Sequence, residues 1–138
     1  MTDRRQTGIP EPGGATAPSP TRQLAVIWPL LGRHIAFQRR LVEVTSNVKA
    51  ALLLSQAMYW TRHGRDIERS EGWFMKTVEQ WELETGLSER EQATARALLR
   101  RLALLYERRV GMPAKLCFRV RPDHVLRALQ RHAAGGRR

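Results

Sequence analysis

Two helix-start signals in close succession, Thr77-Val78-Glu79-Gln80 and Ser88-Glu89-Arg90-Glu91, constrain this chain more than any other feature of it. Each is a capping box. The Thr or Ser hydroxyl accepts from a first-turn amide, while the Gln or Glu three residues on reaches back to the cap's own N–H. The first box opens a helix to about Thr85 that turns Val78, Trp81 and Leu83 inward. Gly86 stands where a left-handed residue ends that helix, since glycine has no Cβ to clash there, and Leu87 plugs the corner. The second box opens a longer helix to about Leu102. Two capped helices joined by little more than Gly-Leu make a helix-turn-helix unit.

The second helix has two faces. At about 100° per residue, Ala95, Leu98, Leu99 and Leu102 fall on one side and Ala93, Arg96, Ala97 and Arg100 on the other, with Arg90 and Arg101 on a flank. Two extended runs follow, Leu104 to Arg109 and Lys115 to Val120, around Val110-Gly111-Met112-Pro113-Ala114. Leu116, Phe118 and Val120 alternate with Lys115, Cys117, Arg119 and Arg121, the period of a half-buried strand. The pattern predicts an α+β domain, mostly α, in which a small antiparallel hairpin follows the helix pair.

At 138 residues the chain has room for one modest core once its ends are set aside. Residues 1–22 hold Pro10, Pro12, Pro18 and Pro20 with Gly8, Gly13 and Gly14, and Ile9 alone as a large aliphatic. Such a stretch cannot bury enough apolar area to offset chain entropy, so it is expected to be disordered. It lacks the apolar core of a signal peptide, and no apolar run in the chain is long enough to span a bilayer, so no membrane partner is expected. The lone Cys117 forbids an internal disulfide and fits a reducing compartment. Leu24 to Leu31, broken by Pro29, reads equally as a short strand, a turn of helix or a lead-in.

Ile35 to Val44 reads as a helix ending near Thr45, with Ser46 or Asn47 capping the next. That next helix, Val48 to about Arg62, is apolar nearly all round: Ala50, Ala51, Leu52, Leu53, Leu54, Ala57, Met58, Tyr59 and Trp60. It is either the central core helix or one that shares a face with a second copy, giving a homodimer through Val48–Trp60. Trp73, Phe74 and Met75 could form a short first strand. Pro122 suits the first turn of a last helix with Val125, Leu126 and Leu129. The ordered domain is expected over residues 23–132, with 133–138 a frayed basic tail.

Charge is unevenly spread along the chain. There are 24 Lys and Arg against 13 Asp and Glu, a formal +11. From Asp66 to Glu84 acids dominate (Asp66, Glu68, Glu71, Glu79, Glu82 and Glu84 against Arg69 and Lys76). From Gly86 to Arg121 only Glu89, Glu91 and Glu107 stand against Arg90, Arg96, Arg100, Arg101, Arg108, Arg109, Lys115, Arg119 and Arg121. Positive charge is thus concentrated on the second helix and the hairpin, and arginine suits phosphate and guanine edges. For catalysis the sequence offers little. His34, His63, His124 and His132 are scattered, no H-E-x-x-H or C-x-x-C places a metal, and no Gly-rich phosphate loop or nucleophile elbow is present. No enzyme activity and no cofactor are expected, and Trp60, Trp73 and Trp81 read as core rather than as stacking platforms.

Leu54-Ser55-Gln56 with Tyr59-Trp60, Gly72-Trp73-Phe74-x-Lys76-Thr77, Glu84-Thr85-Gly86-Leu87-Ser88 and Gly111-Met112-Pro113-Ala114-Lys115-Leu116 occur in that order. The ordered set, over about Ile35 to Leu129, resembles the winged helix-turn-helix proteins of phages, plasmids and other mobile elements, many of them replication initiators and replisome organisers. The resemblance implies double-stranded DNA recognition through the Ser88–Leu102 helix and the Gly111–Lys115 wing. On that reading Arg96 and Arg100, beside Ala93 and Ala97, enter the major groove. Ser88 fixes the helix start, Arg90, Arg101 and the Lys76-Thr77 helix start lie near phosphate, and Lys115 and Arg119 reach the backbone or minor groove. The expected role is replication initiation or transcriptional regulation of a mobile element in the bacterial cytoplasm. The competing reading is a protein-interaction module, either a replisome adaptor or an inhibitor gripping a host protein or ribonucleoprotein. That family often has glycine after the recognition helix where this chain has Ala103, and a left-handed alanine there would cost about 1 kcal/mol.

Overall fold

A computed structural model describes residues 17–64 and 68–135. They divide into two units, one ending at His34 and one beginning at Ile35. In the first, α1 (Pro20–Ile27) starts on Ser19, whose hydroxyl accepts from Arg22 N at 3.3 Å, with Pro20 in the first turn where its missing N–H costs nothing. Pro29 has no N–H to continue an α-helix, and Trp28–Leu31 tighten into a 3-10 turn. Of the stretch expected to be disordered, residues 1–16 lie outside the described residues, while residues 20–22 are helical.

The second unit is mostly helical with one small antiparallel sheet. It comprises α2 (Arg40–Thr45), α3 (Val48–His63), β1 (Phe74–Met75), α4 (Val78–Thr85), α5 (Glu89–Arg101), β2 (Leu105–Val110), β3 (Lys115–Val120) and α6 (Pro122–Gly135). The helix expected from Ile35 is shorter than its apolar residues suggest. No Ser, Thr, Asp or Asn stands ahead of Arg40 to cap an earlier start, so helix begins only there. Asn47, not Ser46, caps α3, accepting from Ala50 N at 2.9 Å, while left-handed Ser46 ends α2. The last helix continues through Gly135, and residues 136–138 lie outside the described residues.

α3 is the central core helix. It packs against α2, α5 and β3, and Ala50, Ala51, Leu53, Leu54 and Ala57 are fully buried. Its polar interior residues are satisfied locally: Ser55 Oγ donates to Ala51 O at 2.8 Å and accepts from Gln38 N at 3.0 Å. Beside it Phe74, Trp81 and Phe118 form an aromatic cluster, with Trp81 edge-on to Phe118 at 5.5 Å. Trp81 is the inward residue of α4, and Leu83, expected to join it, is 88% exposed. Two residues along a helix is a rotation of about 200°, so a helix this short cannot bury both.

In the sheet, order β1-β3-β2, the central strand pairs Phe74 and Glu107 with Phe118 and Tyr106 with Arg119. One face carries Leu105, Glu107, Arg109, Leu116, Phe118 and Val120. The other carries Tyr106, Arg108, Val110, Lys115, Cys117 and Arg119. Cys117, covered on that second face, is a buried free thiol.

Candidate nucleic-acid interface

Both capping boxes form as read. Gln80 N donates to Thr77 Oγ1 and Thr77 N to Gln80 Oε1, and Ser88 and Glu91 repeat the exchange. Gly86 ends α4 at φ +78°. The angle between α4 and α5 is then locked by Gln92, which is fully buried and whose Nε2 donates to Val78 O at 3.1 Å and Leu87 O at 2.9 Å. At the start of α5, Glu91 also binds Lys49 Nζ at 2.6 Å. That hydrogen bond first, and the one from Ser88 N second, lower its carboxyl to about 2. α5 is therefore fixed at its beginning against both α3 and α4.

With Gln92, Ala95 and Leu99 buried, helix geometry turns Arg90, Ala97 and Arg101 outward, and Ala93 and Arg96 toward the hairpin. Arg90 and Arg101, three turns and about 16 Å apart, are exposed and meet no carboxylate among the described residues. Between α5, the start of α4 and the hairpin runs a groove of about 600 Å³, with Thr77, Glu89, Ala93, Arg96, Arg109 and Lys115 on its walls.

Several residues assigned to DNA from the sequence are placed otherwise. Arg96 Nε and Arg100 Nη1 lie 2.9 and 2.7 Å from the same oxygen, Oε2 of Glu107. The alternation of β2 explains this: with Leu105 inward, Glu107 must share its face and point at α5. Lys76 is 8% exposed, and its ammonium is bound to Glu84 and sits 4.1 Å over the Trp60 ring, so it forms the groove floor rather than a free cation near phosphate. Arg119 lies on the far face of the sheet, 5.7 Å from the Tyr106 ring, facing away from α5. Leu102, assigned to the inward face of α5, is 40% exposed. Thr77, Ala93 and Lys115 line the groove, Lys115 from the turn end of the hairpin, and Ser88 is the exposed cap of α5. Arg109, which the sequence reading did not single out, is the additional groove cation, and the same parity from Leu105 places it there.

No family model, curated protein or solved structure matches this chain. Four of the motif residues quoted from the sequence meet in one place. Glu84 Oε1 accepts from Gln56 Nε2 at 3.2 Å and Trp60 Nε1 at 3.0 Å, while Oε2 takes the Lys76 ammonium. Gln56, Trp60, Lys76 and Glu84 thus tie α3, the exit of β1 and α4 into a frame under the groove. Among the described residues no three His, Cys, Asp or Glu side chains converge as a metal site, and no helix is long and apolar enough to cross a membrane.

Proposed function

We propose that the chain is a winged helix-turn-helix protein that binds double-stranded DNA, with α5 in the major groove and the β2–β3 hairpin as the wing. The observation that carries this reading is the set of free cations on one surface. Arg90 and Arg101 lie along the outward line of α5, Arg109 stands across the groove beside it, and Lys115 edges the groove from the turn end of the hairpin. α5 has 13 residues, about 20 Å of helix and of a width that a B-form major groove admits. Small Ala93 and Ala97 let it approach base edges, and Glu89 in its first turn suits a cytosine amino group. The exposed N-terminus of α4 at Thr77 supplies amide dipoles for a phosphate. Replication initiation or transcriptional regulation of a mobile element in the bacterial cytoplasm is the setting that the motif resemblance suggests.

The test is anisotropy titration of a selected duplex with Arg90→Glu/Arg101→Glu. Both side chains are exposed and unpaired, so the melt should stay put, while duplex affinity should fall by at least about tenfold per residue. Undiminished binding across a salt series would remove the DNA reading. The protein-interaction reading would then stand, supported by Leu24, Val26, Ile27, Trp28, Leu30 and Leu31, all exposed along α1 and the 3-10 turn.

A further inference from the structure

The sheet face turned away from α5 carries a second cationic surface of different make. Trp73 stacks on Tyr106 with ring centroids 6.0 Å apart, Arg108 lies 4.0 Å over Trp73, and Arg121 and Arg119 lie 4.4 and 5.7 Å from Tyr106. Among the described residues no carboxylate engages Arg108, Arg119 or Arg121, and the buried Arg121 Nε has no hydrogen-bond partner. A guanidinium over a ring spends its π face and keeps the N–H donors along its edge. The rings therefore hold these three charges in place without neutralising them. Arg119 is on β3 and Arg121 lies one residue past its end, with Arg108 on the neighbouring strand. Beside this set opens a groove of about 650 Å³ with Trp73, Met75 and Val110 as apolar walls and Arg108 at its rim.

We propose that this face is a separate binding surface for single-stranded nucleic acid. A set of arginines held in place with their N–H edges unspent follows a sugar–phosphate backbone, and the groove beside it offers a place for a base. The apolar groove decides between single strand and duplex. In a duplex the bases are stacked inside and only backbone would meet this face, whereas a splayed base can enter a slot walled by Trp73, Met75 and Val110. The surface uses other cations than the duplex reading does, and only Lys115, at the turn end of the hairpin, shares its side of the sheet, so each can fail alone.

The experiment titrates the full chain with labelled oligo(dT) and, separately, with a duplex. Arg108→Gln/Arg119→Gln keeps most of each side-chain stem and removes two charges; it should weaken oligo(dT) binding at least about tenfold and leave duplex binding within about twofold, because neither residue faces α5. Arg90→Glu/Arg101→Glu should do the reverse. A chain that binds oligo(dT) but no duplex would sink the duplex reading and leave this one standing. Unchanged oligo(dT) affinity in the Arg108/Arg119 variant would overturn the proposal, as would loss of both ligands together in the Arg90/Arg101 variant. Should the glutamine variant melt early, photo-cross-linking of the unaltered chain to a bromodeoxyuridine oligonucleotide decides the matter. Cross-links at Trp73 or Tyr106 support the surface; cross-links confined to α5 and its groove, or none, overturn it.

Discussion

Glu107 holds two guanidinium groups on one carboxylate oxygen, and its side chain is 11% exposed against 17% for Arg96 and 46% for Arg100. The arrangement fastens the base of the hairpin to α5 and withdraws two arginines from the surface that would meet a phosphate backbone. Glu107→Gln should therefore act in two directions. It leaves Arg96 largely covered without its counter-charge, at a cost of about 1–3 kcal/mol. It also frees Arg100 and part of Arg96 for an anionic ligand, so duplex affinity should rise. Chemical denaturation and anisotropy on the same sample check both signs, and a variant that is less stable and also binds duplex more weakly would mean that Glu107 positions contact residues instead of restraining charge. Reversing Arg96 and Arg100 themselves is a poor probe of DNA contact, because it would crowd three acids around one site and unfold the hairpin from α5.

At the level of elements, what the sequence made legible was local. Thr77 with Gln80 and Ser88 with Glu91 act within one helical turn, so the boxes announce α4 and α5 without any tertiary contact. The alternation in β3 is likewise local. Where Lys76 and Arg96 point is not, since that depends on Glu84 arriving from the end of α4 and on Glu107 arriving through the register of β2. The exit of α5 shows both kinds of information. Ala103 takes φ 60° in a Schellman-type close, with Leu104 N donating to Leu99 O and Ala103 N to Arg100 O, both at 2.9 Å. Burial of Leu99 and Leu104 holds the turn in place despite the alanine. Left-handed alanine is strained by about 1–2 kcal/mol, and glycine gives back about 0.4–1 kcal/mol through a more flexible unfolded chain. Ala103→Gly should thus stabilise by about 0.5–1 kcal/mol, seen as a higher urea midpoint at unchanged slope. A lower midpoint would show that the alanine methyl makes a contact worth more than its strain.

For the whole molecule, the net charge of +11 says little about how many phosphates one binding event engages, because charge that is paired or turned elsewhere does not count. Arg96 and Arg100 are held by Glu107, Lys76 is bound to Glu84, and Arg119 faces the other side of the sheet. Arg90, Arg101 and Arg109 on the α5 side, with Lys115 at the turn end of the hairpin, are left for a duplex. About four contacts predict that log affinity falls with log salt at a slope of about −3.6, where about six, as the bare sequence suggests, would give about −5. Glu107→Gln should steepen the slope toward that larger value. α3 bears on the same measurement. Its apolar composition is accounted for by the core, with Val48 and Tyr59 its exposed large apolar side chains. One chain per site is therefore expected, and light scattering should give a single chain mass. A homodimer through α3 would double both the mass and the contacts, bringing the slope to about −7. A slope near −1 with tight binding would mean that few phosphates are neutralised, and the α5 surface would then belong to a protein partner.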